Sequence, residues 1–223
     1  MSIDLEKMSE FFTNRVDGYD EHMLNNVEGC KEGYKKMAEL IPCNSNKLLD
    51  LGCGTGLELE DIFKNHPNIQ VTGIDLTIAM LDKLKEKYYD KDITLINASY
   101  FDCDLGFEKY DAAISFQTMH HFSYEDKLKL YKNICDSLKP NGVYIECDYM
   151  ITDQKDEDFY FSEMKRFKEE KNLNDNEFYH YDTPCTINNQ IKLLKNAGFK
   201  TAINVWRMEN TTIIIAQKKE RLK

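Results

Sequence analysis

Basic side chains are the scarcer charge in this chain: 29 Lys and Arg stand against 39 Asp and Glu, a formal net charge of -10. A broad grip on nucleic acid needs a net basic face, so that class of function is disfavoured, although a local patch is not. No stretch approaches the roughly 18 apolar residues of a membrane span. The opening MSIDLEKMSEFF lacks a basic start followed by an apolar run, so no secretion signal is expected and the expected location is cytoplasmic. The seven cysteines (Cys30, Cys43, Cys53, Cys103, Cys135, Cys147 and Cys185) are odd in number and form no CxxC pair. Several fall in apolar runs, which points to buried thiols in a reducing compartment rather than a disulfide framework. Internal repeats and low-complexity linkers are absent as well.

What is present is a repeated alternation of short apolar runs and helical patterns. At 223 residues and 26.2 kDa the chain suits a single domain, 1–223, with room for a full core. Apolar runs at 48–51, 69–74, 93–96, 110–116 and 143–147 read as strands. Between them Leu57, Leu59, Ile62 and Phe63, then Ile78, Leu81, Leu84 and Tyr88, then Leu128, Tyr131, Cys135 and Leu138 repeat at helical spacing. Short connections between strand and helix predict an α/β fold, a mostly parallel sheet covered on both faces. Ahead of it, residues 1–41 read as helices interrupted at 15–20, an N-terminal lid closed by Pro42. Residues 152–182 change character, dense in charge and aromatics, and read as a helix over about 156–171 plus a loop, an insert forming part of a cap. Two strands, 200–207 and 211–217, end the chain as a hairpin.

The stretch LLDLGCGTG (48–56) organises the rest. A buried strand ends in Asp50, and Gly52, Gly54 and Gly56 then open a helix, the geometry that holds a nucleotide-like ligand at the carboxyl edge of a sheet. The spacing is G-x-G-x-G, not the G-x-G-x-x-G of a dinucleotide fingerprint, and no Lys-Ser/Thr pair makes it a phosphate loop. Asp50 beside the loop would repel a pyrophosphate and attract an ammonium group. Asp75, at the end of the second strand, stands where a carboxylate grips ribose hydroxyls. A nucleoside bearing an amine, such as S-adenosylmethionine, suits this combination.

The same stretch resembles the first motif of the class I S-adenosylmethionine-dependent methyltransferases. VTGIDLTIAML (71–81), YDAAISFQTMHHF (110–122) and LKPNGVYIECD (138–148) are similar to that family's later motifs. FFTNRVDGYDEHM (11–23) and DTPCTINNQIKLLKNAGF (182–199) resemble one bacterial and archaeal branch of small methyltransferases, near but apart from the enzymes that modify the wobble uridine of tRNA. The resemblance implies a seven-stranded Rossmann-like sheet in the order 3-2-1-4-5-7-6 with the last strand antiparallel. It implies S-adenosylmethionine as cofactor, with Gly52, Cys53, Gly54 and Gly56 near its methionine part, Asp50 close by, Asp75 on the ribose, and Leu76 and Met80 along the adenine. Where the family usually has an acid facing the adenine amino group, this chain has Ser99, and Ser99 or the backbone at Tyr100 and Phe101 supplies the expected hydrogen bond. Gln117, in the loop after the fourth strand, is expected at the cofactor as well. Arg15 and Tyr19 either anchor the N-terminal helices or fold over the cofactor.

The loop carrying His120 and His121 follows the fourth strand and must lie at the ligand edge. Either histidine suits a general base or a group that orients the acceptor, and either equally suits packing. His121, Asp148 and His180 are candidate metal ligands if the fold gathers them. The expected activity is methyl transfer by an enzyme (EC 2.1.1.-) to a small-molecule acceptor, with the protein a monomer or homodimer. A tRNA-base methyltransferase and a non-catalytic binder of S-adenosylmethionine or another nucleoside are the alternatives.

Overall fold

The computed structural model describes residues 5–174 and 177–220, so the end of the charged tail at 221–223 lies outside the described residues. Three helices come first, α1 (Met8–Arg15), α2 (Tyr19–Asn25) and α3 (Cys30–Leu40). Strands and helices then alternate: β1 (Lys47–Leu51), α4 (Leu59–Asn65), β2 (Gln70–Asp75), α5 (Ile78–Lys87), β3 (Ile93–Asn97), β4 (Tyr110–Phe116), α6 (Tyr124–Ser137) and β5 (Leu138–Tyr149). Helices α7 (Gln154–Lys171) and α8 (Ile187–Asn196) and the hairpin β6 (Thr201–Met208) and β7 (Thr211–Gln217) complete the chain.

The strands form one seven-stranded sheet in the order β3-β2-β1-β4-β5-β7-β6. Every pairing from β3 to β5 is parallel, and β7 runs antiparallel to both β5 and β6. The alternation of side chains along each strand divides the core. Leu48, Val71, Ala112, Ile114, Val143 and Ile145 meet Met37 of α3, Ile62 of α4 and Leu84 of α5 on one face. Leu49, Leu51, Ile74, Ala113, Tyr144 and Ile214 meet Leu130, Tyr131 and Ile134 of α6 and Leu194 of α8 on the other. Strands apolar on both faces are what a sheet covered by two helical layers requires.

The second face also buries polar groups. Glu146 of β5, Gln190 of α8 and Tyr131 of α6 are buried, and the Gln190 amide bonds both the Glu146 carboxyl and the Tyr131 hydroxyl. Burial pushes Glu146 up to about 7. Glu157 of α7 is likewise buried and accepts hydrogen bonds from the Thr186 amide (2.6 Å) and the Asn189 side chain, which ties the inserted helix to the start of α8.

Two boundaries differ from the sequence reading by three residues or more. β5 begins at Leu138, not at Val143, because Leu138 already pairs with Tyr110 while Asn141, at φ +63°, lies in the irregularity that follows. α4 begins at Leu59, not at Gly56, because Gly56 holds φ +73° and the chain turns before it coils. Ser123 caps α6 by accepting the Asp126 amide. Among the described residues no helix is long and apolar enough to cross a membrane.

The order places β1 and β4 side by side at the point where successive connections leave in opposite directions, so the crevice for a ligand opens beyond their carboxyl ends. Close packing there fixes the glycine loop from below. A Cβ on Gly73 of β2 would lie 2.8 Å from the Cys53 sulfur and 3.1 Å from Leu95. Gly73→Ala is expected to cost about 1–3 kcal/mol through overpacking, and Cys53→Ala in the same chain to recover part of that loss. Urea unfolding of the two single variants and the double variant checks this; strict additivity would contradict the direct packing.

Candidate functional site

Two loops meet at the switch point. After β1 the chain turns through Gly52, Gly54 and Gly56, all at positive φ. Gly52 has no room for a side chain: a Cβ there would lie 2.6 Å from the Thr118 hydroxyl in the loop after β4. Asp75 then locks the edge, its Oδ2 accepting the Gly54 amide (2.9 Å) and its Oδ1 the Thr77 amide (2.8 Å). Burial raises the Asp75 carboxyl, and these two backbone donors oppose the rise.

A narrow cavity of about 70 Å³ lies over this edge, lined by Gly52, Gly54, Asp75, Leu76, Met80, Ser99, Tyr100, Phe101 and Gln117 and roofed by Met8, Phe12 and Tyr19. The Ser99 hydroxyl accepts the Phe101 amide at 3.3 Å. Gln117 stands at φ +50°, its amide bonded to the Cys147 carbonyl and its side chain donating to Thr211 Oγ1 at 3.2 Å. A second, wider space of about 890 Å³ continues from the first. The two share Phe12, Tyr19, Gln117 and His121 as a common wall, and the second adds Arg15, His120, Tyr149, His180 and Asp182.

Four residues expected at the cofactor do not line the first cavity. Asp50 is buried beneath the loop, outside the lining, beside the buried Glu58 carboxyl, and Asp50 Oδ2 and Glu58 Oε1 have no hydrogen-bond partner among the described residues. Cys53 turns its sulfur inward against Gly73, and Gly56 packs against Leu84 and Tyr88. Arg15 is held by Glu6 (2.8 Å) and lies over the Phe11 ring (3.7 Å), facing only the second space. Glu58, Thr118, Phe178, Tyr149 and Asp182 are residues the sequence reading missed.

The histidines occupy a 3-10 turn, Met119–His121, that starts two residues after Gln117. His120 Nδ1 lies 2.5 Å from Asp148 Oδ1 at the end of β5. Burial disfavours charge on His120, but Asp148 outweighs it and the net shift is upward. His121 is pushed well down by burial and by the neighbouring His120 and His180. Asp182 Oδ1 lies 3.5 Å from His120 Nε2 and 3.4 Å from His121 Nδ1. The side chains that could hold a metal together are therefore His120, His121 and Asp182. Asp148 stands behind His120, and His180 stacks on Phe11 with ring centroids 3.4 Å apart.

The roof is tied down at several points. Lys83 and Lys87 of α5 reach Asp17 and Asp20 (both 2.9 Å), and the Thr55 hydroxyl donates to Asp20. The Met8 amide donates to the Phe178 carbonyl (2.9 Å) and the His180 amide to the Glu6 carbonyl (3.0 Å), joining the N-terminal segment to the end of the insert.

Residues 48–142 match the family described as Methyltransferase domain. A carboxy-S-adenosyl-L-methionine synthase from Nautilia profundicola is 28% identical, with 96% of each chain covered. An O-methyltransferase family protein from Burkholderia thailandensis shares the fold with a TM-score of 0.70 at 15% identity; the match covers 94% of this chain and 61% of that one. DesVI from Streptomyces venezuelae superposes with a TM-score of 0.67 at 16% identity, covering 92% of this chain and 98% of that one.

The acid pair beneath the loop gives a pH signature. Burial raises Asp50 well above the carboxylate range and pushes Glu58 up to about 7, so the pair retains a proton where unfolded carboxyls have lost theirs. The folded state then binds more protons than the unfolded one, and the stability due to this pair falls as pH rises from about 5 to about 8. Glu58→Gln removes one of the two titrating carboxyls and relieves part of the upward push on Asp50. Its unfolding free energy is expected to gain about 2 kcal/mol on the parent chain across that range, as read by urea melts at several pH values; parallel pH profiles would refute it.

Proposed function

We propose that this chain, which has the class I S-adenosylmethionine-dependent methyltransferase fold, carries the methyl group of S-adenosylmethionine from the first cavity to a small-molecule acceptor in the second. The observation that carries the reading is the common wall. A cofactor seated over Gly52, Gly54 and Asp75 reaches Phe12, Tyr19, Gln117 and His121, and the acceptor space begins on their far side.

Asp75 keeps lone pairs beyond its two backbone donors and takes the ribose hydroxyls. Leu76, Met80 and Phe101 bracket the adenine, and the Ser99 hydroxyl or the backbone beside it meets the adenine amino group. Gly52 and Gly54 let the backbone approach the methionine part, with the Asp50–Glu58 pair beneath contributing negative potential towards its ammonium. The sulfonium is already activated, so the protein supplies alignment and exclusion of water. The bond from sulfur to methyl breaks as the bond to the acceptor forms, leaving a neutral thioether. An acceptor hydroxyl or amine must also lose a proton, and His120 and His121 are the groups through which it leaves, by direct transfer or by making the acceptor more acidic. Residues 1–41 act as the lid and 152–182 as part of the cap. The net charge of -10 favours a small acceptor over tRNA.

One observation favours a second reading: the match to the carboxy-S-adenosyl-L-methionine synthase covers 96% of both chains. In that chemistry the cofactor's own methyl would gain a carboxyl group. A carboxylate formed there calls for a facing cation, yet no Lys or Arg lines the first cavity among the described residues, and Arg15 is engaged by Glu6. Methyl transfer is therefore the preferred reading.

Calorimetric titration with S-adenosylmethionine, with NAD as the control, is expected to show one site for the former alone. Asp75→Ala is expected to weaken it at least about tenfold, as the loss of a charged hydrogen-bond acceptor implies. Mass analysis of the cofactor after turnover with a panel of acceptors and carboxyl donors separates the chemistries: S-adenosylhomocysteine supports methyl transfer, and a cofactor heavier by one carboxyl group supports the second reading. Equal binding of NAD and S-adenosylmethionine would sink both.

A further inference from the structure

The acceptor space contains a side-chain set that proton transfer alone does not require. His120 and His121 are consecutive, and their turn brings the rings to a centroid separation of 4.0 Å. Asp182, more than 60 residues further along the chain, places one oxygen between them, 3.5 Å from His120 Nε2 and 3.4 Å from His121 Nδ1. Both distances lie beyond the ordinary span of an N–H···O hydrogen bond. Two donors bound to one ion at roughly 2.0–2.1 Å in tetrahedral array stand about 3.4 Å apart. The ligand atoms of the three residues all lie within 4.8 Å of one another, and an ion among them would replace the 3.3 Å contact of His121 Nδ1 with the Tyr181 carbonyl.

A second observation points the same way. His120 presents its Nε2 towards Asp182 because Asp148 holds the opposite nitrogen at 2.5 Å. A carboxylate behind a histidine, fixing its tautomer and ring orientation, is the usual support of a metal-binding imidazole. Both histidines are buried, while Asp182 is partly exposed and faces the acceptor space together with Tyr149 and His180. The set thus sits in a wall of the cavity, with coordination positions left for a ligand entering from that space.

We propose that His120, His121 and Asp182 bind one divalent transition-metal ion, a two-histidine, one-carboxylate site that receives the acceptor through oxygen. This rests on the reading of the second space as the acceptor site. It also selects between the two parts left to the histidines: they hold an ion that makes the acceptor more acidic, and do not themselves take the proton. The acceptor class is then an alcohol, phenol or enol, favoured when a neighbouring carbonyl or hydroxyl oxygen can complete a chelate. Binding to the ion lowers the pKa of the hydroxyl, whose proton passes to solvent. The resulting oxygen anion attacks the sulfonium methyl; the O–C bond forms as the C–S bond breaks, and an ether and a thioether result.

The test uses the full chain without a polyhistidine tag, stripped with chelator and dialysed. Zn²⁺ is titrated by calorimetry, and Co²⁺ is followed by its visible absorption. One ion per chain is expected, with a tetrahedral or five-coordinate Co²⁺ spectrum. Asp182→Asn is expected to weaken binding at least about tenfold, and Asp148→Asn, which leaves the three ligands in place, by roughly tenfold as a supporting partner does. S-adenosylmethionine affinity, measured on the same samples, is expected to be unchanged in Asp182→Asn, because Asp182 does not line the first cavity; this also reports that the variant is folded. No binding of either ion, or binding equally tight in Asp182→Asn and in His121→Gln, would overturn the metal site. Cofactor binding without metal binding leaves the methyl-transfer reading standing and removes this one; metal binding without cofactor binding overturns the methyl-transfer reading and, with it, the part given to the ion in activating the acceptor.

Discussion

The rest of the site depends on a single carboxylate. Asp75 ends β2, and its two oxygens hold the amides of Gly54 and Thr77, one in the loop after β1 and one at the start of α5. Two loops that enclose the crevice from different strands are thereby fixed to one another through a group that is itself mostly buried. The Gly54 amide has a partner at a turn whose φ of +48° would otherwise leave it exposed to the cavity. The same carboxylate faces the ligand space, so the group that shapes the floor is also the one that presents negative charge to whatever lies on it.

Above that floor, close packing replaces hydrogen bonding as the constraint. The absence of a side chain at Gly52 lets Thr118 approach, and this brings the loop after β4, with Gln117 and the two histidines, against the glycine turn. Gln117 holds a left-handed backbone that a non-glycine residue adopts at some cost. Bonds to the Cys147 carbonyl and to Thr211 over-determine that conformation, so β5 and β7 help set the position of a residue at the boundary between the two spaces.

Much of this architecture is legible in the sequence because it is written in local periodicity. Apolar runs ending at Asp50 and Asp75, glycines at 52, 54 and 56, and a histidine pair just past a strand each announce their place on a sheet edge. The sheet order came from resemblance, and the observed strand order and the antiparallel β7 agree with it. What was not legible depends on contacts between distant segments. Asp182 meets His120 and His121 only because the insert folds back over the turn, and no spacing in the chain encodes that. Glu58 looks like an ordinary acid at a helix start until Asp50 is found buried beside it. Arg15 is a plausible anion holder by position, but it is engaged by Glu6, nine residues earlier. Cys53 and Gly56 share the motif with Gly52 and Gly54, yet the turn directs alternate members inward, towards Gly73 and Leu84.

The backbone pairing between the N-terminal segment and the end of the insert bears on the order of events. Lys7 pairs antiparallel with Tyr179, flanked by the Met8–Phe178 and His180–Glu6 bonds. Met8 and Phe178 roof the first cavity, while Phe11 and His180, stacked on each other, border the second. One short ribbon therefore spans both chambers. Under the proposed function, a displacement of that ribbon to release the spent nucleoside would loosen the cover of the acceptor space as well.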